Sequence, residues 1–456
     1  MSKNPDVLIL GGGSGGYAAA FRAAQLGMTV TLVEAEKVGG TCLHRGCIPT
    51  KALVHAAEVA DTVAHAHRIG IGAALGPIDL ETVHNYKTGV VDRLYKGLQG
   101  LVRSHKINLV EGTGRYAGGT TLEVGDRTFT GQSLVLATGS QVRALPGLET
   151  GGRILTSDEA LSFPELPERV VVLGGGIIGV EFASIWSSLG AQVTIVEALP
   201  RLVASEDEWT SKQLTRSLRK RGITVKTDAR FSKAVQDSVS VSIALESGET
   251  FDADVLLVAV GRAPRTAGIG LTDNGIAVDD DGFVTVDAQL RTSIPNVYAV
   301  GDIIAGPQLA HRGFQHGIFV ADTIAGSGPV LPDDVNIPRV AYSNPETASV
   351  GLTERKAREL YSDVETTVYD LASNGKSQIL GTSGGMKVIR AIGGPVVGIH
   401  MVGERVGELI GEAQLVVNWG AFPDEVAQLI HAHPTQAEAL GEAHLALAGR
   451  PLHAHG

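Results

Sequence analysis

Cys42 and Cys47 are the only cysteines in the chain, and four residues separate them in GGTCLHRGCIPTK, residues 39–51. A thiol pair at this spacing has three chemical uses: a structural cross-link, part of a metal site, or a couple that cycles between dithiol and disulfide. Two cysteines in 456 residues make no disulfide framework, and no cluster of Cys and His supplies the four ligands of a structural zinc site. The redox use gains by that elimination. Pro49 suits the first position of a helix, which would place Cys47 just before a helix N-terminus, where orphan N–H groups and the helix dipole favour a thiolate. Gly39, Gly40 and Gly46 permit a tight curl, so Cys42 could close a short disulfide with Cys47 if the two Cα atoms come within about 7 Å.

A second constellation stands in HAHPTQAEAL, residues 431–440. Pro434 also suits a helix start, so His433 is expected at the mouth of a helix. Glu438, just over a turn on, would lean back toward it, because helical side chains tilt toward the N-terminus. A carboxylate on one imidazole nitrogen orients the other and stabilises the imidazolium formed on proton transfer. That arrangement is a base for a thiol. His431 reads as structural.

The elements that must position these groups repeat along the chain. Residues 6–34 read as an apolar strand (Val7 to Leu10), a glycine loop (Gly11 to Gly16), a helix (Tyr17 to Leu26) and a second strand (Thr29 to Val33) closed by Glu34. Residues 170–197 give the same order: VVVLG, GGGIIG, VEFASIWSSLG, QVTIV and then Glu197. The intervals agree, with 34 − 11 = 23 and 197 − 174 = 23 residues. In each copy the first two glycines of G-x-G-x-x-G let backbone approach a pyrophosphate at a helix N-terminus. The third lets helix pack on strand, and the terminal acid can bind ribose hydroxyls. Two copies in register predict two bound dinucleotides. Glu197 would accept hydrogen bonds from a free 2′-hydroxyl and repel a 2′-phosphate, favouring NAD over NADP; Arg201 nearby is a mild signal the other way. Alternating stretches at 120–140 and 243–264 read as small antiparallel meanders feeding a buried strand, and after Pro338 the texture becomes mixed strands and helices.

Composition agrees with a large soluble protein of several domains: 43% hydrophobic, 19% charged and 58 glycines, with a formal net charge of −11. The acidic balance and the lack of a basic run disfavour nucleic acid or an anionic membrane as partner. The N-terminal segment is a poor signal peptide, and no apolar run reaches the length of a membrane span. A cytoplasmic location is the expectation.

GGTCLHRGCIPTK resembles the redox segment of the flavin-dependent pyridine-nucleotide disulfide oxidoreductases. The likeness extends through LVLATGS, VAVGRAP, NVYAVGD at 296–302, PETASVGLTE at 345–354 and HAHPTQAEAL. It implies an α/β fold with two Rossmann-like dinucleotide-binding domains, for FAD at 1–148 and for NAD at 149–268. A central region at 269–337 would complete the FAD site, and a C-terminal α+β dimerisation domain would occupy 338–456. FAD would contact Gly11, Gly13, Gly16, Glu34, Thr41, Lys51, Gly114, Thr138, Gly139, Ser140, Asp302 and Ala310. NAD would contact Gly174, Gly176, Gly179 and Glu197, with Gly261 closing its pocket. Lys51 and Glu181 look like the family's ion pair beside the flavin. Cys42 would meet substrate and Cys47 the flavin, with His433 and Glu438 supplied across a homodimer interface.

Within the family the motifs are most similar to the branch that oxidises a dihydrolipoyl group on a partner's carrier domain, using NAD, as the shared component bound to the core protein of 2-oxo acid dehydrogenase or glycine-cleavage complexes. Reductases of glutathione-like disulfides or mercuric ion are the nearest rivals. The first would normally use NADP, against Glu197, and the second would carry a further cysteine pair, which GRPLHAHG lacks. An inactive flavoprotein serving as a structural subunit should have lost Cys42, Cys47, His433 or Glu438, and all four are present. The segment leaves open what His44 and Arg45 do between the cysteines, and the stretch LAHRGFQHG leaves His311 and His316 without a role.

Overall fold

The computed structural model describes residues 4–453. The chain falls into two compact units, one built from the segments up to Ala52, Glu81–Ala144 and Gly261–Asp334, the other from Leu53–Leu80, Leu145–Val260 and Val335 onward.

In the first unit a five-stranded parallel sheet runs in the order Val297–Ala299, Ser133–Leu136, Val7–Leu10, Val30–Glu34, Asn108–Glu111. Val7–Leu10 is an unbroken apolar run, Ser133–Leu136 is apolar after its first residue, and both are wholly buried, as central strands covered on both faces must be. The helix Ser14–Gln25 starts three residues before the sequence places it, because Gly13 already acts as its N-cap. Its buried stripe is small, Gly15, Gly16, Ala18, Ala19, Ala20 and Ala23, and the helix Ala310–Ile324 packs against it. A Cβ on Gly317 of that second helix would lie 2.3 Å from the Gly15 carbonyl oxygen, so glycine is required for the two backbones to meet. A three-stranded meander, Gly114–Gly118, Thr121–Val124 and Arg127–Thr130, and a short ribbon pairing Ser140–Val142 with Arg262–Pro264 complete this unit's strands.

The second unit repeats the design. Its parallel sheet runs Thr224–Lys226, Gln192–Val196, Arg169–Leu173, Val255–Val258, Ile154–Thr156. The repeat reaches the strand register: Val7 faces Val30 as Arg169 faces Gln192, offsets of 30 − 7 = 23 and 192 − 169 = 23. The helix Ile177–Ser188 again begins inside the glycine loop, capped by Gly176. A three-stranded meander spans Phe231–Ala253. The same unit holds an antiparallel sheet of five strands in the order Arg339–Ala341, Glu346–Gly351, Val396–Gly403, Gly385–Ala391, Val364–Asp370. The helices Val406–Asn418 and Glu438–Leu447 pack on it around Val350, Val388, Ile399 and Met401. The α/β class with two dinucleotide folds and a C-terminal α+β part is therefore as the sequence led us to expect. Among the described residues no helix is long and apolar enough to cross a membrane.

Candidate active site

In both parallel sheets the strand carrying the glycine loop has its successor on one side and a later strand on the other. Such a switch in strand order opens a crevice beyond the carboxyl ends of the strands. In the first unit Gly11–Gly16, Thr138–Ser140 and Asp302 follow those ends, and Glu34 is the last residue of its strand.

The glycines of the two loops divide by cause. A Cβ on Gly16 would collide with the Gly11 carbonyl, as one on Gly179 would with that of Gly174, so these serve packing. Gly13 and Gly176 are different. Their φ values, −71° and −74°, suit any residue. A Cβ on Gly13 would come no nearer than 3.9 Å to protein, and one on Gly176 would meet nothing within 4 Å. Neither backbone strain nor packing asks for glycine there. A bare concavity at an uncapped helix N-terminus fits a pyrophosphate group.

The two acids match atom for atom. Glu34 accepts from the Gly12 N–H at 2.6 Å and the Glu36 N–H at 2.8 Å, and Glu197 accepts from Gly175 at 2.6 Å and Leu199 at 2.7 Å. Backbone amides thus fix each carboxylate beside its loop, with lone pairs remaining for ribose hydroxyls. Arg201 is committed elsewhere: its guanidinium donates to the Glu206 and Ala204 carbonyls and to Ser211 Oγ at 2.6–2.8 Å. The sequence signal it gave toward NADP has this local explanation.

Of the remaining residues expected around FAD, Thr138 is tied to the Arg265 carbonyl at 2.6 Å, and the Ser140 hydroxyl donates to Asp302 at 2.5 Å. Ala310 heads the helix Ala310–Ile324, which has no side-chain cap at Leu309. Gly114 lies where a Cβ would strike Leu10 and Val33 of the sheet, so close packing accounts for it. Gly261 falls in the first unit, where its carbonyl accepts from the Arg143 N–H at 3.1 Å.

Cys42 sits in the short helix Gly40–Arg45, together with Thr41, and forms a disulfide with Cys47 across a Cα separation of 4.7 Å. Here the local expectation needs correcting. The second helix starts at Cys47 itself, and Pro49 is its third residue rather than its first. The Gly46 carbonyl accepts from the Thr50 N–H at 3.1 Å and the Thr50 hydroxyl at 2.6 Å, which begins the helical bonding two residues early. Pro49 remains harmless, since the N–H it lacks would have had no helical partner. Lys51 is the fifth residue of this helix. His44 bonds the Val38 carbonyl at 3.0 Å and meets the Tyr95 ring edge-on, and Arg45 pairs with Glu36 at 2.7 Å. Both basic residues therefore anchor the segment to its own unit.

His433, Glu438 and Glu181 belong to the second unit. His433 Nδ1 and Glu438 Oε1 are 2.8 Å apart, although the local structure differs from the expectation. Pro434 follows a cis peptide bond and does not start a helix, which begins at Glu438. The Thr435 N–H donates to the other Glu438 oxygen at 2.7 Å and the Thr435 hydroxyl to the Ala432 carbonyl at 2.7 Å, closing a turn that presents the pair. Burial works against the Glu438 charge, but the Thr435 amide and His433 outweigh it, with His431 adding, so its carboxyl is held below the usual range. His431 pairs with Glu412 at 2.8 Å, which raises its pKa. Its ring lies where a Cβ on Gly441 would be, a structural seat as expected. Glu181 is buried and accepts from the Tyr342 N–H at 2.9 Å. Sequence reasoning passed over Tyr342, whose backbone carries no residue signature, and Arg262, whose signal in VAVGRAP was present and unassigned.

Comparison with known proteins agrees with this geometry. Residues 5–317 match the pyridine nucleotide-disulphide oxidoreductase model, and residues 337–444 match the dimerisation domain of the same family. A dihydrolipoyl dehydrogenase of Bacillus subtilis is 40% identical over 99% of this chain and the whole of that protein. A mitochondrial dihydrolipoyl dehydrogenase of Schizosaccharomyces pombe is 40% identical over 98% of this chain and 91% of its own length. Among solved structures, the HOCl-induced flavoprotein disulfide reductase RclA of Escherichia coli, as its Cu(II) complex, superposes with a TM-score of 0.88 at 28% identity, covering 98% of this chain and all of that one. With a disulfide beside one of two dinucleotide cradles and both family models matched in order along it, the chain belongs to the pyridine nucleotide-disulphide oxidoreductase family.

Proposed function

We propose that the protein is a dihydrolipoyl dehydrogenase: it oxidises a dihydrolipoyl group on a carrier domain to the cyclic disulfide and reduces NAD+ to NADH. The observation that carries this reading is the full-length identity of 40% with a dihydrolipoyl dehydrogenase, together with the Cys42–Cys47 disulfide and the His433–Glu438 pair. Gly11, Gly13, Gly16, Glu34, Thr41, Gly114, Thr138, Gly139, Ser140, Asp302 and Ala310 would hold FAD, and Gly174, Gly176, Gly179, Glu197 and Gly261 would hold NAD. FAD, when bound, supplies the two-electron transfer that links the cysteine pair to the nicotinamide.

The chain's own groups do the rest. His433, oriented by Glu438, takes the proton of one substrate thiol. The resulting thiolate attacks Cys42 Sγ, the Cys42–Cys47 bond breaks, and Cys47 leaves as a thiolate. The second substrate thiol then displaces Cys42, so the substrate leaves as a disulfide and the enzyme holds the two electrons as a dithiol. Lys51 would place a cation beside the flavin, where reduction builds negative charge. The dimerisation domain would bring His433 and Glu438 to the partner subunit's cysteines in a two-fold homodimer. The enzyme would serve as the shared component of 2-oxo acid dehydrogenase or glycine-cleavage complexes in the cytoplasm, where lipoylated carriers and NAD are found.

A steady-state comparison tests the reading. NADH and NADPH are each paired with lipoamide, glutathione disulfide and mercuric ion, with Cys42→Ser as control. NADH with lipoamide should give the highest kcat/KM, and a preference for either other acceptor would overturn the assignment.

A further inference from the structure

Ser140, Arg262 and Asp302 come from three separate stretches of chain, and each directly follows a glycine at positive φ: Gly139 at 73°, Gly261 at 107° and Gly301 at 72°. The three side chains form one line. Arg262 Nε donates to Ser140 Oγ at 2.8 Å, the Arg262 terminal nitrogen donates to the Ser140 carbonyl at 2.9 Å, and the Ser140 hydroxyl reaches Asp302 Oδ2 at 2.5 Å. Its direction is fixed by chemistry. A guanidinium can only donate, so Ser140 Oγ must accept from Arg262, and its single proton must then point at the carboxylate. Ser140 is 3% exposed, which shields the line from competing water. Both ends are charged, and hydrogen bonds of that kind are shorter and stronger than neutral ones.

We propose that Arg262 is a positioning residue for FAD: acting through Ser140, it fixes one oxygen of Asp302 and thereby presents the other to the cofactor. The inference rests on the reading that the first unit holds FAD. Arg262 lies outside the glycine loop and need touch no part of the cofactor. At the same turn, His316 Nδ1 accepts from the Gly301 N–H at 3.3 Å, so the backbone is held as well as the carboxylate.

The test follows FAD release from the purified holoenzyme by recovery of flavin fluorescence, in wild type, Arg262→Met, Arg262→Lys, Ser140→Ala and the double variant Arg262→Met/Ser140→Ala. Loss of one charge-assisted bond predicts an FAD dissociation constant raised about tenfold or more in Arg262→Met. Lysine, which keeps a donor but not the fork, should restore part of the affinity. The double variant should be no worse than the poorer single variant, because both act on one line to Asp302. Multiplying effects, or wild-type retention of FAD by Arg262→Met and Arg262→Lys alike, would overturn the proposal. A wild-type protein purified without flavin absorbance would instead overturn the cofactor reading on which it rests.

Discussion

At the scale of single residues, the likeness between the two acids that close the nucleotide units is closer than sequence spacing requires, since each carboxylate is gripped by the amide of its own loop and by the amide two residues on. The His433–Glu438 pair proposed as the base shows similar economy. One Glu438 oxygen accepts the Thr435 amide and the other faces His433, so the carboxylate is fixed before the imidazole is. Glu438→Gln should keep the amide contact while losing the charge that stabilises the imidazolium. The expected result is a fall of about a hundredfold in dihydrolipoamide oxidation. NADH oxidation by an artificial one-electron acceptor, which needs no thiol deprotonation, should stay near wild type. Equal losses in both assays would remove Glu438 from the role of partner to a base. His44 and Arg45 illustrate the opposite lesson: basic residues between two cysteines invite an electrostatic role, yet their contacts run to Val38, Tyr95 and Glu36.

At the scale of elements, what could be read from the chain was whatever repeats or alternates. The apolar strands, the two glycine loops, the terminal acids and the meanders followed from patterns of period two and a 23-residue interval. Helix starts did not. Both nucleotide-binding helices begin inside their glycine loops, and the helices near Cys47 and Glu438 ignore the prolines expected to head them, because helical bonding begins wherever a carbonyl first finds its partner. Long-range ion pairing was also illegible, since no local pattern marks it. Lys387 is buried with Asp207 and Glu354, each at 2.7 Å, and Arg339 reaches Glu206 at 3.0 Å. These bonds join the segment after the second nucleotide loop to the antiparallel sheet of the same unit. Burial opposes the Asp207 charge, but Lys387, the Glu354 amide and His400 hold its carboxyl below the usual range. Lys387→Met should cost about 3–5 kcal/mol by leaving the buried Asp207 carboxylate without its cation, while Glu354 keeps Arg358 at 2.7 Å, read as a lower midpoint in urea. Adding Asp207→Asn should return part of it, and a Lys387→Met protein as stable as wild type would show that the pair contributes nothing.

At the scale of the whole molecule, each unit holds a buried or half-buried group whose native proton affinity is displaced far from its ordinary value, His316 in the first and Glu346 in the second, and the two displacements have opposite consequences. In the first unit, burial and the nearby Arg312 lower His316 to about 4, against a small opposing pull from Asp334. The native state therefore resists a proton that the unfolded chain binds near 6.5, so the stability this group contributes is complete above pH 6.5 and is lost as pH falls toward 4. In the second unit, burial raises Glu346 to about 7 against the Gly407 amide, aided by Glu58, Glu408 and Glu404. Here the native state keeps a proton that the unfolded chain releases near 4.5, so stability is complete below pH 4.5 and is lost as pH rises through 7. Each window amounts to about 3 kcal/mol, with a slope of about 1.4 kcal/mol per pH unit. Between pH 4.5 and 6.5 the slopes oppose one another. Amide exchange, corrected for its intrinsic rate, should show protection around residues 297–321 rising with pH while protection around 340–351 falls. His316→Gln should flatten the first trend alone and Glu346→Gln the second alone. A variant that kept the wild-type slope in its own unit would show that the buried group there is not what the proton equilibrium reports.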